Sequence, residues 1–129
     1  VAWLGRASAD ELAGAYHAAT AFWFPSTSRA EGFGLVQVEA MASGCPVINT
    51  AIPDSGVPWV ARDGVAGLTV PVGDPGAFAA AARRLVEEPG LRDRLAAGGV
   101  REAEGRFDHR LMAARSLAIY ERVLAEGRR

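Results

Sequence analysis

The chain has 129 residues and a mass of 13.5 kDa, which suits one domain and not two. Its 14 basic residues are all arginine and face 15 acidic ones, so no basic excess exists to bind nucleic acid or an anionic membrane by charge alone. The absence of lysine excludes a Walker-type phosphate loop and a Schiff-base lysine. The single cysteine, Cys45, excludes an internal disulfide framework and a multi-cysteine metal site, and it fits a reducing compartment.

Short apolar runs alternate with helical patterns from the first residue onward. Val1 to Leu4 predicts a buried strand closed by Gly5, and because this strand is entered part-way we expect a piece of a longer protein. Ser8 and Glu11 have the spacing of a capping box, which predicts a following helix. The buried face of that helix is expected to contain Leu12, Ala15, Tyr16 and Ala19.

The middle of the chain predicts strands at 21–24, 47–49 and 68–70, a helix at 35–43 and one helical turn near 57–61. Asp74 followed by Pro75 predicts a helix to about Glu88, and Pro89 opens another through about Glu104. Asp108 is expected to cap a last helix before Arg128 and Arg129, which we expect to fray. The core-facing stripe of that helix is predicted as Ala113, Leu117, Tyr120 and Leu124.

This alternation predicts one α/β domain over residues 1–129, built on a parallel sheet with helices on both faces. Ligands of such sheets bind beyond the carboxyl ends of the strands. The loops that follow Leu4, Phe24 and Asn49 are therefore the places where we expect a site.

The loop after the second predicted strand combines glycines, carboxylates and a helix start. The amides of Gly34, Leu35 and Val36 would be unpaired at that start, and with the helix dipole they suit phosphate. The carboxylates of Glu31 and Glu39 suit adjacent hydroxyls, as on a ribose or hexose. The pattern matches a sugar–diphosphate–ribose ligand. The spacing also fits a structural interpretation, in which Glu31 favours the helix N-terminus, Glu39 is solvated and the glycines form a turn.

Residues 31–48, EGFGLVQVEAMASGCPVI, resemble the signature of the retaining family-4 glycosyltransferases of GT-B fold. In that signature two glutamates eight positions apart flank a Gly-Phe-Gly segment, followed by Glu-Ala-Met-Ala and Gly-x-Pro-Val. The resemblance continues to about Asp74. It implies a Rossmann-like parallel sheet, here the partial C-terminal domain that binds the nucleotide-sugar donor.

The resemblance also implies roles for individual residues. Glu31 would be the catalytic residue and bind donor-sugar hydroxyls, and Glu39 would bind the ribose hydroxyls. The donor sugar and diphosphate would lie against Glu31, Gly32, Phe33, Gly34 and Leu35. The nucleotide would lie against Gly5, Arg6, Ala7, Leu35, Val36 and Glu39.

The implied reaction transfers a sugar from a nucleotide diphosphate sugar to an acceptor with retention at the anomeric carbon. It needs no metal and no cofactor, because amides and basic side chains stabilise the leaving diphosphate. The family's diphosphate-gripping Arg and Lys and its acceptor-binding N-terminal domain lie upstream of Val1, so this piece alone is expected not to turn over. We expect a cytoplasmic protein with no nucleic-acid partner, and association of the full protein with a membrane stays open.

Two other interpretations stay open. A sugar-nucleotide epimerase of similar fold also uses a carboxylate on ribose, and a non-catalytic module would bind only a nucleotide or a partner. Ser55 to Trp59 stands where many members of the family have a Gly-Gly pair and, after proline, a glutamate. Trp59 is expected either to pack against the core or to form a wall of the donor cleft. His17, His109 and Cys45 are expected to be structural or surface residues.

Overall fold

A computed structural model describes residues 1–127, which leaves Arg128 and Arg129, the predicted frayed end, outside the described residues. Strands β1 (Phe22–Phe24), β2 (Val47–Thr50) and β3 (Gly67–Val70) form a parallel sheet in the order β1-β2-β3. In the register, Ile48 of β2 lies between Trp23 of β1 and Leu68 of β3. The parallel α/β architecture predicted from the sequence is confirmed.

In residues 1–127 six helices surround the sheet: α1 (Ala9–Ala18), α2 (Leu35–Ala42), α3 (Val57–Val60), α4 (Pro75–Glu87), α5 (Leu91–Phe107) and α6 (His109–Glu126). Successive strand residues point to opposite faces, so Val47 joins one buried cluster and Ile48 the other. The first cluster lies under α1, α2 and α3, and the second lies under α4 and the start of α5. Helices therefore cover both faces, as predicted.

The predicted helix starts are confirmed by their caps. The Ser8 hydroxyl accepts the Glu11 amide at 3.3 Å, and the Glu11 carboxylate accepts the Ser8 amide at 2.8 Å. Asp74 accepts the Ala77 amide at 2.8 Å, and Asp108 caps α6 in the same way. These short polar side chains satisfy amides that the helix itself leaves unpaired, so local sequence is enough to place them.

The predicted strand at Val1 to Leu4 is wrong. None of the strands in the described part of the chain pairs with this segment, and Trp3 and Leu4 are 93% and 81% exposed. A strand exists only where a neighbour supplies its hydrogen bonds, so an apolar run without that partner stays irregular. The described sheet consequently has three strands where the sequence predicted four.

Of the two predicted helix faces, that of α1 is partly right and that of α6 is wrong. On α1 Tyr16 is buried and packs edge-to-face on Phe22 at 5.4 Å, whereas Leu12 and Ala15 are exposed. The predicted α6 stripe is wrong within the described residues, because Ala113, Leu117, Tyr120 and Leu124 are all exposed. Helical spacing identifies an apolar stripe but does not say whether another element covers it.

Candidate functional site

The loop from Pro25 to Gly34 leaves the carboxyl end of β1 and turns directly into α2. Gly34 is the residue before the helix and has a φ of 73°, in the left-handed region. A Cβ atom at this position would lie 2.9 Å from the Phe24 ring and 2.9 Å from Nε2 of Gln37. Both backbone conformation and space therefore require glycine here, which gives the predicted glycine a physical reason.

The first two amides of α2 have no hydrogen-bond partner within residues 1–127. Gln37 N–H is bonded to the carbonyl of Gly34 at 2.9 Å, but within residues 1–127 no acceptor is found for the amides of Leu35 and Val36. Leu35 is 69% exposed, and the first turn of α2 contains no acidic residue. The positive end of the helix dipole thus coincides with two amides that have no acceptor in the described part of the chain, an arrangement that favours an anion.

Both predicted carboxylates belong to this loop and helix. Glu31 is half-buried just before the glycines, and Glu39 is exposed on the second turn of α2. Within the described part of the chain neither carboxylate takes part in a hydrogen bond or an ion pair. They are chemically available to accept hydroxyl groups of a ligand.

The loop after β2 holds the backbone of the glycine segment. The Ser55 hydroxyl donates to the carbonyl of Glu31 at 2.7 Å, and the Gly56 amide donates to the carbonyl of Gly32 at 2.9 Å. A side chain at Gly56 would collide with the Gly32 carbonyl oxygen. Ser55-Gly56 thus departs from the Gly-Gly pair of many family members in its first residue but keeps the second glycine, which the contact with Gly32 requires.

A buried polar network lies beneath the loop, and sequence analysis missed it. Gln37 and Asn49 are fully buried, and Asn49 Nδ2 donates to Gln37 Oε1 at 2.9 Å. Gln37 Nε2 in turn donates to the carbonyl of Phe33 at 3.0 Å, while the Thr69 hydroxyl donates to Asn49 Oδ1 at 2.7 Å. The available signal was a glutamine and an asparagine inside elements that are mostly apolar.

Trp59 packs against neighbouring aromatic rings, and its alternative role as a wall of the donor cleft stays a prediction. Its ring lies 6.1 Å from that of Phe33 and 5.6 Å from that of Phe107, although 55% of Trp59 is exposed. The Arg106 guanidinium lies over the Trp59 ring at 4.2 Å and also binds Glu102 and the Trp59 carbonyl. The side chain of Phe33 packs into this aromatic cluster, so we expect Phe33 to face a ligand of the loop with its backbone.

Gly5, Arg6 and Ala7 are exposed and precede α1 without a strand behind them. The strand that was expected to position them is not formed within the described residues. Their predicted contact with a nucleotide stays a prediction.

The remaining candidates have ordinary environments. Cys45 is 1% exposed, and burial raises the pKa of its thiol despite the nearby Arg92 and a backbone hydrogen bond from Phe22. His17 and His109 are exposed. Within residues 1–127 no group of three or more His, Cys, Asp or Glu residues is placed to hold a metal, and no helix has the length and apolar character needed to cross a membrane.

A separate cleft of about 390 Å³ opens at the same edge of the sheet, and its lining is mostly apolar. Trp23, Thr50 and Phe78 are among its lining residues, which belong to the ends of β1 and β2 and to α4. The predicted carboxylates and glycines do not line this cleft. It provides an alternative location against which the loop site can be tested.

The fold and the loop define a class of protein: a parallel α/β domain with an anion-accepting helix start at the carboxyl edge of its sheet. Residues 1–88 match the family model described as glycosyl transferases group 1, and the chain belongs to that family. The family resemblance read from residues 31–48 is thereby confirmed.

Relatives and solved structures agree with this assignment. A D-inositol 3-phosphate glycosyltransferase of Nocardioides sp. is 44% identical over 94% of this chain and 25% of the relative. The sucrose-phosphate synthase structure from Thermosynechococcus elongatus superposes with a TM-score of 0.85 at 32% identity, over 98% of this chain and 31% of that one. The Anabaena HepE structure in complex with UDP superposes with a TM-score of 0.70 at 25% identity, over 86% of this chain and 29% of that one. The chain thus spans about a quarter of the length of the first curated relative.

Proposed function

We propose that this chain is the donor-binding part of a glycosyltransferase that transfers a sugar from a nucleotide diphosphate sugar. The observation that supports this most directly is the pair of amides at the exposed residues Leu35 and Val36, for which residues 1–127 offer no acceptor, flanked by two carboxylates without a partner there. The anion-accepting groups suit the diphosphate, and the carboxylates suit the hydroxyl-bearing groups at either end of it. Similarity to a solved structure that contains UDP supports the same ligand class.

In this proposal each part of the donor has a partner. The diphosphate lies on the amides at the start of α2, Glu39 accepts the ribose hydroxyls, and Glu31 accepts hydroxyls of the sugar and acts as the catalytic residue. The backbone of Gly32 and Phe33 lines the sugar, and Gly5, Arg6 and Ala7 approach the nucleotide when it binds. As the glycosidic bond to the diphosphate breaks, the amides stabilise the charge that develops on the leaving group.

The reaction proposed for the whole protein is transfer with retention at the anomeric carbon. Stabilisation of the leaving group is assigned to amides and basic side chains, so the proposal calls for no metal or cofactor. Residues 1–129 act as one donor-binding domain, and the acceptor and the further diphosphate contacts come from other parts of a longer protein, since the matched relative is about four times as long. The single cysteine fits a cytoplasmic protein.

The direct test is calorimetric titration of the 129-residue chain with UDP, GDP and ADP, repeated on Glu39→Ala. We expect the wild type to bind at least one of the three, and Glu39→Ala to bind it about ten- to a hundredfold more weakly, since hydrogen bonds to a charged group are lost. Glu104→Ala is the matched control, because Glu104 is also an exposed glutamate within a helix. Wild type that binds none of the nucleotides, or an equal loss in both variants, would contradict the proposal.

A second assay tests the proposal that the acceptor site lies in other parts of a longer protein. Mixed with a nucleotide sugar and a candidate acceptor, the 129-residue chain is expected to release no transferred sugar. Measurable transfer by the chain alone would contradict the assignment of the acceptor site to other parts of a longer protein.

A further inference from the structure

Two of the three buried polar side chains of residues 1–127 lie in one place. Gln37, Asn49 and Thr50 are the buried polar residues of this part of the chain, at 0%, 0% and 2% exposure. Gln37 and Asn49 donate to the carbonyl oxygens of Phe33 and Val57 beneath the glycine segment, whereas Thr50 donates to that of Ser26, outside this group. Burying an amide side chain is costly unless its hydrogen bonds are made, so this concentration beneath one loop calls for an explanation.

Gln37 is the member that reaches the loop itself. Its Nε2 lies 3.0 Å from the carbonyl oxygen of Phe33 and 3.3 Å from that of Val57, so one amide group bridges the glycine loop and α3. Asn49 fixes the other end of this side chain by donating to its Oε1 at 2.9 Å. The amide of Gln37 is therefore held in one orientation by partners on both sides.

Asn49 is anchored in turn by the sheet and by α3. The Thr69 hydroxyl donates to Asn49 Oδ1 at 2.7 Å, and Asn49 Nδ2 lies 3.0 Å and 3.1 Å from the carbonyl oxygens of Val57 and Ala61. A continuous line of hydrogen bonds thus runs from β3 through β2 and α2 to the carbonyl of Phe33. The rigid sheet is connected in this way to the peptide unit that joins Phe33 to Gly34.

Holding that carbonyl also fixes an amide. A peptide unit is planar and trans, so its C=O and N–H point in opposite directions. With the Phe33 oxygen directed at Gln37, the N–H of Gly34 points away from the buried network. No hydrogen-bond acceptor for the Gly34 N–H is found within residues 1–127. Gly34 precedes Leu35 and Val36, so its amide is a third donor beside the two free amides of α2.

We infer that Gln37, fixed by Asn49 and Thr69, is a positioning residue that orients the Gly34 amide toward the diphosphate of the donor before the donor binds. The inference rests on the proposed function for the identity of the ligand. Preorganised donors bind an anion more tightly because their orientation costs nothing at the moment of binding. In this inference the role of the buried polar network is to align a binding group.

The chain offers a matched pair of substitutions for this inference. Thr69→Val and Thr50→Val are the same substitution on neighbouring strands, and each removes one threonine hydroxyl. The Thr69 hydroxyl belongs to the network, whereas that of Thr50 donates to the carbonyl of Ser26 at 2.5 Å, at the other end of the loop. Gln37→Met removes the network's contact with Phe33 at nearly constant side-chain length and leaves Asn49 bound to the carbonyls of α3.

The experiment is nuclear magnetic resonance of the ¹⁵N-labelled 129-residue chain, followed by calorimetric titration with UDP. In Gln37→Met we expect the Gly34 amide resonance to move, its heteronuclear NOE to fall, and UDP to bind about tenfold more weakly, in line with the loss of one oriented hydrogen bond. Thr69→Val is expected to give the same changes to a smaller extent. Thr50→Val is expected to leave the Gly34 resonance and UDP binding close to those of the wild type.

Three outcomes are decisive. If the Gly34 amide resonance and its heteronuclear NOE are unchanged in Gln37→Met, the inference is overturned. It is also overturned if Thr69→Val and Thr50→Val lose UDP affinity equally at equal thermal stability. If Gln37→Met does not fold, an unchanged Gly34 amide in the milder Thr69→Val overturns it. Failure of the proposed function is recognised separately, because the wild type itself would then not bind UDP whatever the variants do to Gly34.

Discussion

Replacement of Gly34 by alanine tests the geometry of the site loop most sharply. At φ of 73° a Cβ atom costs about 1–2 kcal/mol in backbone energy. The same atom would lie 2.9 Å from the Phe24 ring and from Gln37 Nε2, both held in packed surroundings, which adds about 1–3 kcal/mol for overpacking. We therefore expect Gly34→Ala to lower the free energy of unfolding by about 2–5 kcal/mol.

Gly73→Ala is the matched control for this prediction. Gly73 has the same φ of 73°, but no other atom of the described residues lies within 4 Å of the position its Cβ would take. Only the backbone cost of about 1–2 kcal/mol should remain. Urea denaturation followed by circular dichroism measures both variants. Equal losses of stability would refute the reasoning, because they would show that Phe24 and Gln37 do not confine the backbone at Gly34.

Two further predictions concern the frame that supports the site. In α5, Gly105→Ala should stabilise the chain by about 1 kcal/mol, because alanine favours a helix and its Cβ would meet no atom of the described residues within 4 Å. Gly98→Ala should destabilise the chain, because its Cβ would collide with the carbonyl oxygen of Val65. Melting temperatures that change in the same direction in both variants would contradict this. Burial opposes the ionisation of Glu102, but hydrogen bonds from its two partners, Arg106 and Arg62, outweigh it and lower its pKa. The stability contributed by this carboxylate is present at neutral pH and is lost as the pH falls below about 4, so the stability difference between wild type and Glu102→Gln should shrink from about pH 7 to pH 3. A difference that stays constant in urea denaturation over that range would contradict the assignment.

Features that depend on neighbouring residues in the sequence were predictable. The caps at Ser8 and Asp74 form within one helical turn, and short apolar runs between turn residues locate β2 and β3. Features that depend on a distant partner were not. The run at Val1 to Leu4 has the composition of a strand but no strand beside it in the described residues, and α6 shows helical spacing without a covering element there.

The same division applies to the site. The glycines and carboxylates of residues 31–39 could be predicted because they lie in one continuous segment of loop and helix. The support beneath them could not, since Gln37 and Asn49 come from different elements and only the parallel sheet brings their amides to 2.9 Å. Trp59 was ambiguous for the same reason, because the rings of Phe33 and Phe107 that it contacts are distant from each other in the chain.

The start of α2 is proposed above to bind the diphosphate of a nucleotide. The most direct measurement is amide chemical-shift mapping of the ¹⁵N-labelled chain during titration with UDP. We predict that the largest shifts occur at Gly34, Leu35 and Val36, with smaller ones near Glu39. Shifts centred instead on Trp23 and Phe78, which line the separate apolar cleft, would contradict the account.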